Sequence, residues 1–491
     1  MSIVIEQQPL YRTLPVGQDI IFTVSDDTII ANRFKPKFIA QIYVSSQISN
    51  LGTTNSLVAT LKVTPNNRGR GIFSLEPILS SYVKPQNEGV DFIGTSISEY
   101  KTTPYSNTDR HPIHLIDKLC VNNKTALYFS IDFNIQYFAS ASSTTSINYA
   151  KPIRSMSFLF YNGVLDYDKI LKNRKGQFGY NLDADKFVFN DAYGTLGKFL
   201  TNAPTEQYAR LTDYGTLSFF NWLNISNYSF DVGLLSPNSP SVPAVSYFEI
   251  ILYNSSNVNI GSFNVINNVV SGGWSSNNEY SATRIMYLGA FPANFDGAAN
   301  ATWVAQKANT SYYTIQAYDD EDQQISLIYK INIVSDSCYG YKAIRLAWLN
   351  SHGTWDYYTF KKKSVKSLQT NKTQYTQSRG TWNEERFEIS GYKGGKKNFR
   401  INTKQLISIN TDFINESEAV WFENLINSTE VYIINEYSGG SADTDFGMIN
   451  KYVEPVTVNT SSYTRKTKVN DKLIQYTFEL EKAHNKRSHT V

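Results

Sequence analysis

Short apolar and aromatic runs separated by turn residues recur along almost the whole chain, and where a period can be read it is two. Segment 127–138 is the clearest case: Phe129, Ile131, Phe133, Ile135 and Tyr137 fall on one face of an extended strand, because successive strand side chains point to opposite sides. Residues 155–161 offer a partner beyond the Ser-, Ala- and Thr-rich loop 139–148, which predicts a long hairpin closing a first domain. Upstream, 20–24, 38–44 and 57–63 read as strands. The turn cluster Pro65, Asn66, Asn67, Gly69, Gly71 predicts that 57–63 and 72–75 pair as a second hairpin. Residues 77–83 read as one turn of helix or an edge segment.

Between 166 and 204 the periodicity is lost, and Asn, Asp, Gly and Lys are frequent. A loop of that length is uncommon in a compact region unless it serves a function, so the stretch reads as a surface excursion able to reach a neighbouring subunit. Strands return at 215–223, 247–253, 312–318, 325–334, 344–349 and 355–360, with Asp319, Asp320, Glu321 and Asp322 forming a hairpin turn. Ile344, Leu346 and Trp348 share a face, and this spacing of short strands predicts a sandwich. After a Lys-rich connector, 361–366, one helix stands out. Asn415 is placed to cap it, Glu418 sits at the capping-box position, and Val420, Trp421, Leu425 and Ile426 form its apolar face. Strands at 405–409, 431–434, 453–458 and 473–480 surround it. The expected fold is mainly β. Consecutive antiparallel β-sandwich domains with long loops (1–205, carrying the excursion 166–204, and 206–362) precede a C-terminal β-rich domain, 363–491, carrying one short helix near 416–427.

Composition sharpens this picture. Of 491 residues 14% are aromatic, with 34 Tyr and 28 Phe, and 46 are Asn. Charged residues are 18%, below the roughly 25% of an average soluble chain. So many aromatics and so little net charge exclude a disordered chain. A net charge of +3 is too small to imply nucleic-acid binding by itself. Cys120 and Cys338 fit no disulfide or metal framework and read as two reduced, buried thiols. Residues 1–7 have neither a basic nor an apolar region, and no stretch approaches 18 apolar residues. The expectation is a product made in the cytoplasm without a signal peptide or membrane span.

The candidate chemistry is sparse. His111 and His114 stand three apart beside Pro112 and read as a loop pair before a metal site; His352 lies in a hairpin turn beside Gly353. Asp445, Phe446 and Gly447 spell the kinase magnesium motif without the rest of that signature. Asp183 and Asp185 lack the third acid, glycine and closing Glu of a calcium loop. The acidic run at 319–322 reads as a solvated tip first, and as a contact for a cation or basic partner second. Lys393, Lys396, Lys397 and Arg400 around Gly394 and Gly395 read as solvated surface, then as a contact for an acidic neighbouring subunit. Lys482, His484, Lys486 and Arg487 form a charged tail. Paired carboxylates for glycoside hydrolysis are invisible in sequence, and no phosphate loop or serine elbow stands out. No catalytic, metal or cofactor-binding residue is assigned, and neither an enzyme nor a cofactor is expected. What remains is an aromatic, Asn- and Ser-rich β surface. It suits either protein interfaces or the stacking of sugar rings.

Four groups of segments add a resemblance. The first is Pro65, Asn66, Asn67, Gly69, Gly71, Ile72 and Phe73 with Leu75, Pro77, Ile78, Leu79, Ser81, Tyr82 and Val83. The second is Phe199, Leu200, Thr201, Asn202, Ala203 and Pro204 with Asp213, Tyr214, Gly215, Thr216, Leu217, Ser218 and Phe219. The third is Ile344, Arg345, Leu346, Trp348, Leu349 and Asn350 with Gly353, Trp355, Asp356, Tyr357, Thr359 and Phe360. The last is Trp421, Ser428, Glu430, Val431, Tyr432, Pro455, Val456 and 473–481. In this order they resemble tail proteins of tailed bacteriophages infecting Bacteroidetes, crAss-like phages among them. The resemblance implies a non-enzymatic virion component of the tail, in its hub, baseplate or adaptor region, binding copies of itself and other tail proteins. It supplies no catalytic residues. A receptor-binding fibre or adhesin gripping host polysaccharide is the alternative, and a capsule-degrading enzyme a third reading.

Overall fold

The structure, a computed structural model, describes residues 3–46, 48–84, 119–121, 125–148, 152–182, 184–189, 196–221, 245–267, 284–297, 300–334, 341–381, 384–434, 453–460, 464 and 474–484. Its architecture is mainly β, with packed sheets and a few short helices, as the pattern predicts. The chain divides into two compact units. One comprises Met1–Val334 and Leu349–Asp356, the other Ser335–Trp348 and Tyr357–Val491. Sheets cross both boundaries read from the sequence. Leu119–Val121 pairs with Arg284–Gly289, and Ile344–Leu349 pairs with Val431–Ile434. Strand partners are chosen by apolar faces that meet in space, which a linear reading does not see.

The first unit opens with a sandwich. Val4–Gln7, Ile21–Ser25 and Arg70–Ser74 form one sheet. The other runs Thr13–Pro15, Phe158–Tyr161, Ala126–Phe138, Phe34–Ser45, Leu57–Val63. The strand predicted from alternation is there: Phe129, Ile131, Phe133 and Ile135 are fully buried, and Phe158–Tyr161 pairs with it antiparallel. Phe22 of the facing sheet meets Phe133 at 5.8 Å and Phe158 edge-on at 5.6 Å. Such pairs add roughly 0.5–1.5 kcal/mol beyond burial. Two pairings of this unit depart from the expected antiparallel order: Phe158–Tyr161 lies parallel to Thr13–Pro15, and Glu206–Ala209 parallel to Tyr329–Ile333.

The second predicted hairpin is corrected. Leu57–Val63 pairs with Phe34–Ser45, whereas Arg70–Ser74 pairs with Ile21–Ser25 in the opposing sheet. The turn between them is a corner. The Asn66 side chain accepts from the backbone N–H groups of Arg68 and Arg70, and Gly69 adopts φ +73°, where a side chain would be strained. Phe73 gains the ring of Phe133 at 5.6 Å by crossing over.

Further along this unit, Glu206–Ala209, Tyr329–Ile333, Tyr312–Tyr318, Tyr247–Tyr253 and Asn259–Ile266 form a five-stranded sheet. It faces a three-stranded sheet of Thr216–Asn221, Arg284–Gly289 and Leu119–Val121, with Phe219 meeting Phe248 at 5.0 Å. The hairpin across 319–323 forms as predicted. The excursion is corrected: Tyr180, Leu182, Val188, Phe189, Phe199 and Leu200 are buried. Phe199 meets Tyr329 edge-on at 4.9 Å, and Phe189 stacks on Phe219 at 5.7 Å. Lost periodicity marks lost regularity of the backbone, not exposure.

In the second unit a seven-stranded sheet runs Trp355–Phe360, Ile344–Leu349, Val431–Ile434, Val453–Val458, Thr477–Lys482, Gly395–Asn410, Val365–Gln377. Its helix, Glu416–Asn427, has the predicted capping box: Asn415 accepts from the Glu418 N–H, and the Glu418 carboxylate accepts from the Asn415 N–H. The buried face is Ala419, Trp421, Phe422 and Leu425, with Phe422 5.7 Å from Phe478. Val420 is exposed, contrary to its predicted place. At 100° per residue it points away from the stripe that Trp421, Phe422 and Leu425 define.

Candidate functional site

A buried polar cluster of the first unit is built from two segments far apart in sequence, 200–202 and 349–356. Asn350 shapes the local turn: its side-chain oxygen accepts from the N–H of His352 at 2.9 Å and of Thr354 at 3.2 Å. Gly353 closes it at φ +71°, and a Cβ there would fall 1.8 Å from the Asn162 carbonyl oxygen. So held, the turn meets the other segment. Asn350 Nδ2 and Thr354 Oγ1 donate to the Leu200 carbonyl at 3.1 and 2.5 Å, and Ser351 Oγ donates to Asn202 Oδ1 at 2.9 Å.

Asp356 is the anionic centre, 1% exposed. Its carboxylate accepts from Thr201 Oγ1 at 2.5 Å, Asn350 Nδ2 at 2.8 Å and the Asn202 N–H at 3.2 Å. Three donors on a dry carboxylate are what a buried charge requires. These bonds tie the turn to the backbone of 200–202, so the cluster positions backbone.

His352 lies at the apex of this turn, 1% exposed, its ring centroid 4.1 Å from that of Phe187. Its Nδ1 has no hydrogen-bond partner. Burial pushes the imidazole down to about 4, and the Lys198 and Lys169 charges add to this while Asp185 opposes it. The ring is therefore neutral at pH 7 and serves as packing. Nearby, Tyr180 Oη donates to Asp185 at 2.8 Å, and burial raises that phenol. A buried charge pair, Arg210 with Asp213 at 2.8 Å, lies in the same unit, both side chains under 8% exposed.

The other sequence candidates fall as follows. Asp319 is buried and its carboxylate accepts from the N–H groups of Glu321 and Gln323, so it builds the turn, while Asp320, Glu321 and Asp322 are exposed. Asp183, His111, His114, Cys338, residues 445–447, Lys486, Arg487 and His489 lie outside the described residues, as does the side chain of Cys120. His484 is exposed. Among the described residues no three His, Cys, Asp or Glu gather as for a metal ion, and no helix is long and apolar enough to cross a membrane.

Lys396, Lys397 and Arg400 lie on a feature the sequence reading missed. The presumed connector continues into a strand, Val365–Gln377, paired along its whole length with Gly395–Asn410. Its Thr, Gln, Asn, Ser and Lys residues give no apolar period, so no strand signal could be read there.

No family model matches the chain, and no curated protein does. Among solved structures it is similar to an alpha-2-macroglobulin of Salmonella and to the native conformation of the E. coli alpha-2-macroglobulin. Each is 7% identical over 83% of this chain, at a TM-score of 0.17. The chain spans only 21% of the length of those proteins. At that TM-score the likeness carries no argument.

Proposed function

We propose that the protein is a structural subunit of a bacteriophage tail, in its hub, baseplate or adaptor region, which assembles with copies of itself and with other tail proteins in the virion. The observation that carries this reading is the place of the residues behind the tail-protein resemblance. Leu200, Thr201 and Asn202 from one such segment and Asn350 and Asp356 from another meet in one buried polar cluster. Residues spent on fixing a turn suit a protein whose work is shape. Closed rings form by heterologous contacts between two different patches of each protomer. Mass spectrometry of purified particles tests this: the chain is expected in stoichiometric copy number, and its absence from mature virions overturns the proposal.

A second reading has its own observation. Tyr167 is 87% exposed and Tyr392 78%, and exposed tyrosines suit stacking on sugar rings. An adhesin for host polysaccharide predicts glycan-array binding that is lost in Tyr167→Ala or Tyr392→Ala.

A further inference from the structure

We infer that a lysine-bearing face at one end of the first sandwich docks the acidic 319–322 turn of a second copy of this chain; the inference rests on the reading of the protein as a self-assembling subunit.

Strand register builds the basic face. Lys37 lies opposite Gln136, and Lys62 lies opposite Ile39. Cross-strand partners share a side of a sheet, and so do residues two apart in one strand. The core takes Phe38, Ala40, Phe133 and Ile135, so Lys37, Lys62 and Gln136 all stand on the opposite side. Lys62 Nζ donates to Gln136 Oε1 at 3.2 Å. Lys35 joins them, its Nζ 5.8 Å from the ring centroid of Phe138, two residues beyond Gln136. The backbone is strained to place it. Between Phe34 and Lys37 the pairing with Ala126–Phe138 loses register, and Lys35 adopts φ +46°, a region that few side chains accept. All three lysines are exposed, and among the described residues none forms an ion pair. Phe34 beside them is 46% exposed.

The acidic turn is held just as firmly. The Asp319 carboxylate accepts from the Glu321 and Gln323 N–H groups at 2.9 and 2.8 Å, while Asp320, Glu321 and Asp322 are exposed. Two tyrosines back the turn. Tyr247 Oη donates to Asp322 at 2.9 Å and Tyr318 Oη to Glu249 at 3.0 Å, with the two rings stacked at 5.0 Å. Among the described residues no Lys or Arg forms an ion pair with Asp320, Glu321, Asp322 or Glu249.

Three unpaired cations and four unpaired carboxylates thus belong to one compact unit without pairing with each other. Between two copies the surfaces can meet, and each supplies the counter-charge the other lacks, which steers and orients association. Aromatic rings adjoin both, Phe34 and Phe138 on one and Tyr247 and Tyr318 on the other, and such residues are enriched at protein interfaces. A phosphate backbone would satisfy the lysines and leave the carboxylates unpaired. Contact between two different patches is heterologous, the kind that closes a ring.

The test uses the full-length chain as wild type and as two charge reversals, K37E/K62E on the basic face and D320K/E321K on the turn. An equal mixture of isotope-labelled and unlabelled wild type is cross-linked with a zero-length carbodiimide, and association is followed by sedimentation. The expected links are mixed-isotope and join Lys35, Lys37 or Lys62 to Asp320, Glu321 or Asp322. Each reversal alone should weaken self-association about tenfold, the loss of a few exposed ion pairs, at an unchanged circular dichroism spectrum. Added salt should weaken the wild type likewise. Mixing the two reversals should restore association, because each face then meets a turn of opposite sign on the other variant. Misfolded variants would not complement each other in this way. Failure of the mixture to recover, or association that ignores reversal and salt, overturns the docking. So does the absence of association or mixed links at the highest soluble concentration; the tail reading survives each of these, being decided separately on particles. Binding of a DNA duplex that K37E/K62E abolishes, without mixed links, assigns the face to nucleic acid and overturns the inference.

Discussion

The hairpin of Ile344–Leu349 with Trp355–Phe360 and the ribbon of Val365–Gln377 with Gly395–Asn410 follow one another in the chain, and both carry polar residues. They meet opposite fates. In the first, Asn350, Thr354 and Asp356 are at most 5% exposed, bound to one another and to residues 200–202. In the second, most side chains are in water, and the polar atoms bond mainly along the ribbon itself, as Arg400 Nε does to Asn402. Polar residues in a strand thus mark either of two opposite things, a closed internal network or an open surface. Only the partner decides which.

Removing the centre of the closed network should have the largest effect. Asp356→Ala leaves Thr201 Oγ1, the Asn202 N–H and one Asn350 donor without their acceptor. The expected loss is about 3–5 kcal/mol in denaturant unfolding, and a loss under 1 kcal/mol would show that the network does not bear on stability. Next comes the root of the ribbon. Ile407 is 3% exposed where the strand enters the sheet, and Leu368 further out is 59% exposed. Ile407→Ala should therefore cost about 2–4 kcal/mol and Leu368→Ala under about 0.5 kcal/mol. Equal effects would mean that the outer ribbon is packed.

The apex of the closed turn should also sense acid. His352 has its protonation held down to about 4 by burial, against about 6.5 when unfolded. Above pH 6.5 neither state binds the proton and nothing is lost. Between 6.5 and 4 the unfolded chain binds it first, so stability falls as pH falls, by roughly 3 kcal/mol in all. His352→Leu should flatten that part of a stability–pH curve, and a variant curve parallel to wild type would remove the imidazole from the account. The smallest energetic effect belongs to the outer ribbon, where Thr370→Ala should change stability by under about 0.5 kcal/mol. Its amides should nonetheless exchange with solvent far faster than those of Leu346 and Ala347. Equal protection would mean that the ribbon is already covered in the isolated chain.

How much of this could be read beforehand differs by element. Ala126–Phe138 was legible because one face is continuously apolar, and the helix Glu416–Asn427 because its capping box is local in sequence. The hairpin assigned to 57–63 and 72–75 failed because a turn cluster records where the chain bends, not which strand it rejoins. Residues 166–204 were misplaced for a related reason. Phe189 and Phe199 are buried by contacts with Phe219 and Tyr329, at spacings that no repeat describes. His352 and Asn350 were legible as a turn beside Gly353, but not as interior residues. Nor was there any sign that Asp356 would answer Thr201, 155 positions away.

The first compact unit is not continuous, and this bears on how it comes to be made. Its last eight residues, Leu349–Asp356, leave the ribosome after Ser335–Trp348, which belongs to the other unit. A nascent chain that has emerged only as far as Val334 lacks the Asn350 and Thr354 donors to the Leu200 carbonyl and the Asp356 acceptor of the Thr201 hydroxyl. A fragment cut at that position should be soluble only with difficulty and should recover order when a peptide spanning the missing turn is supplied.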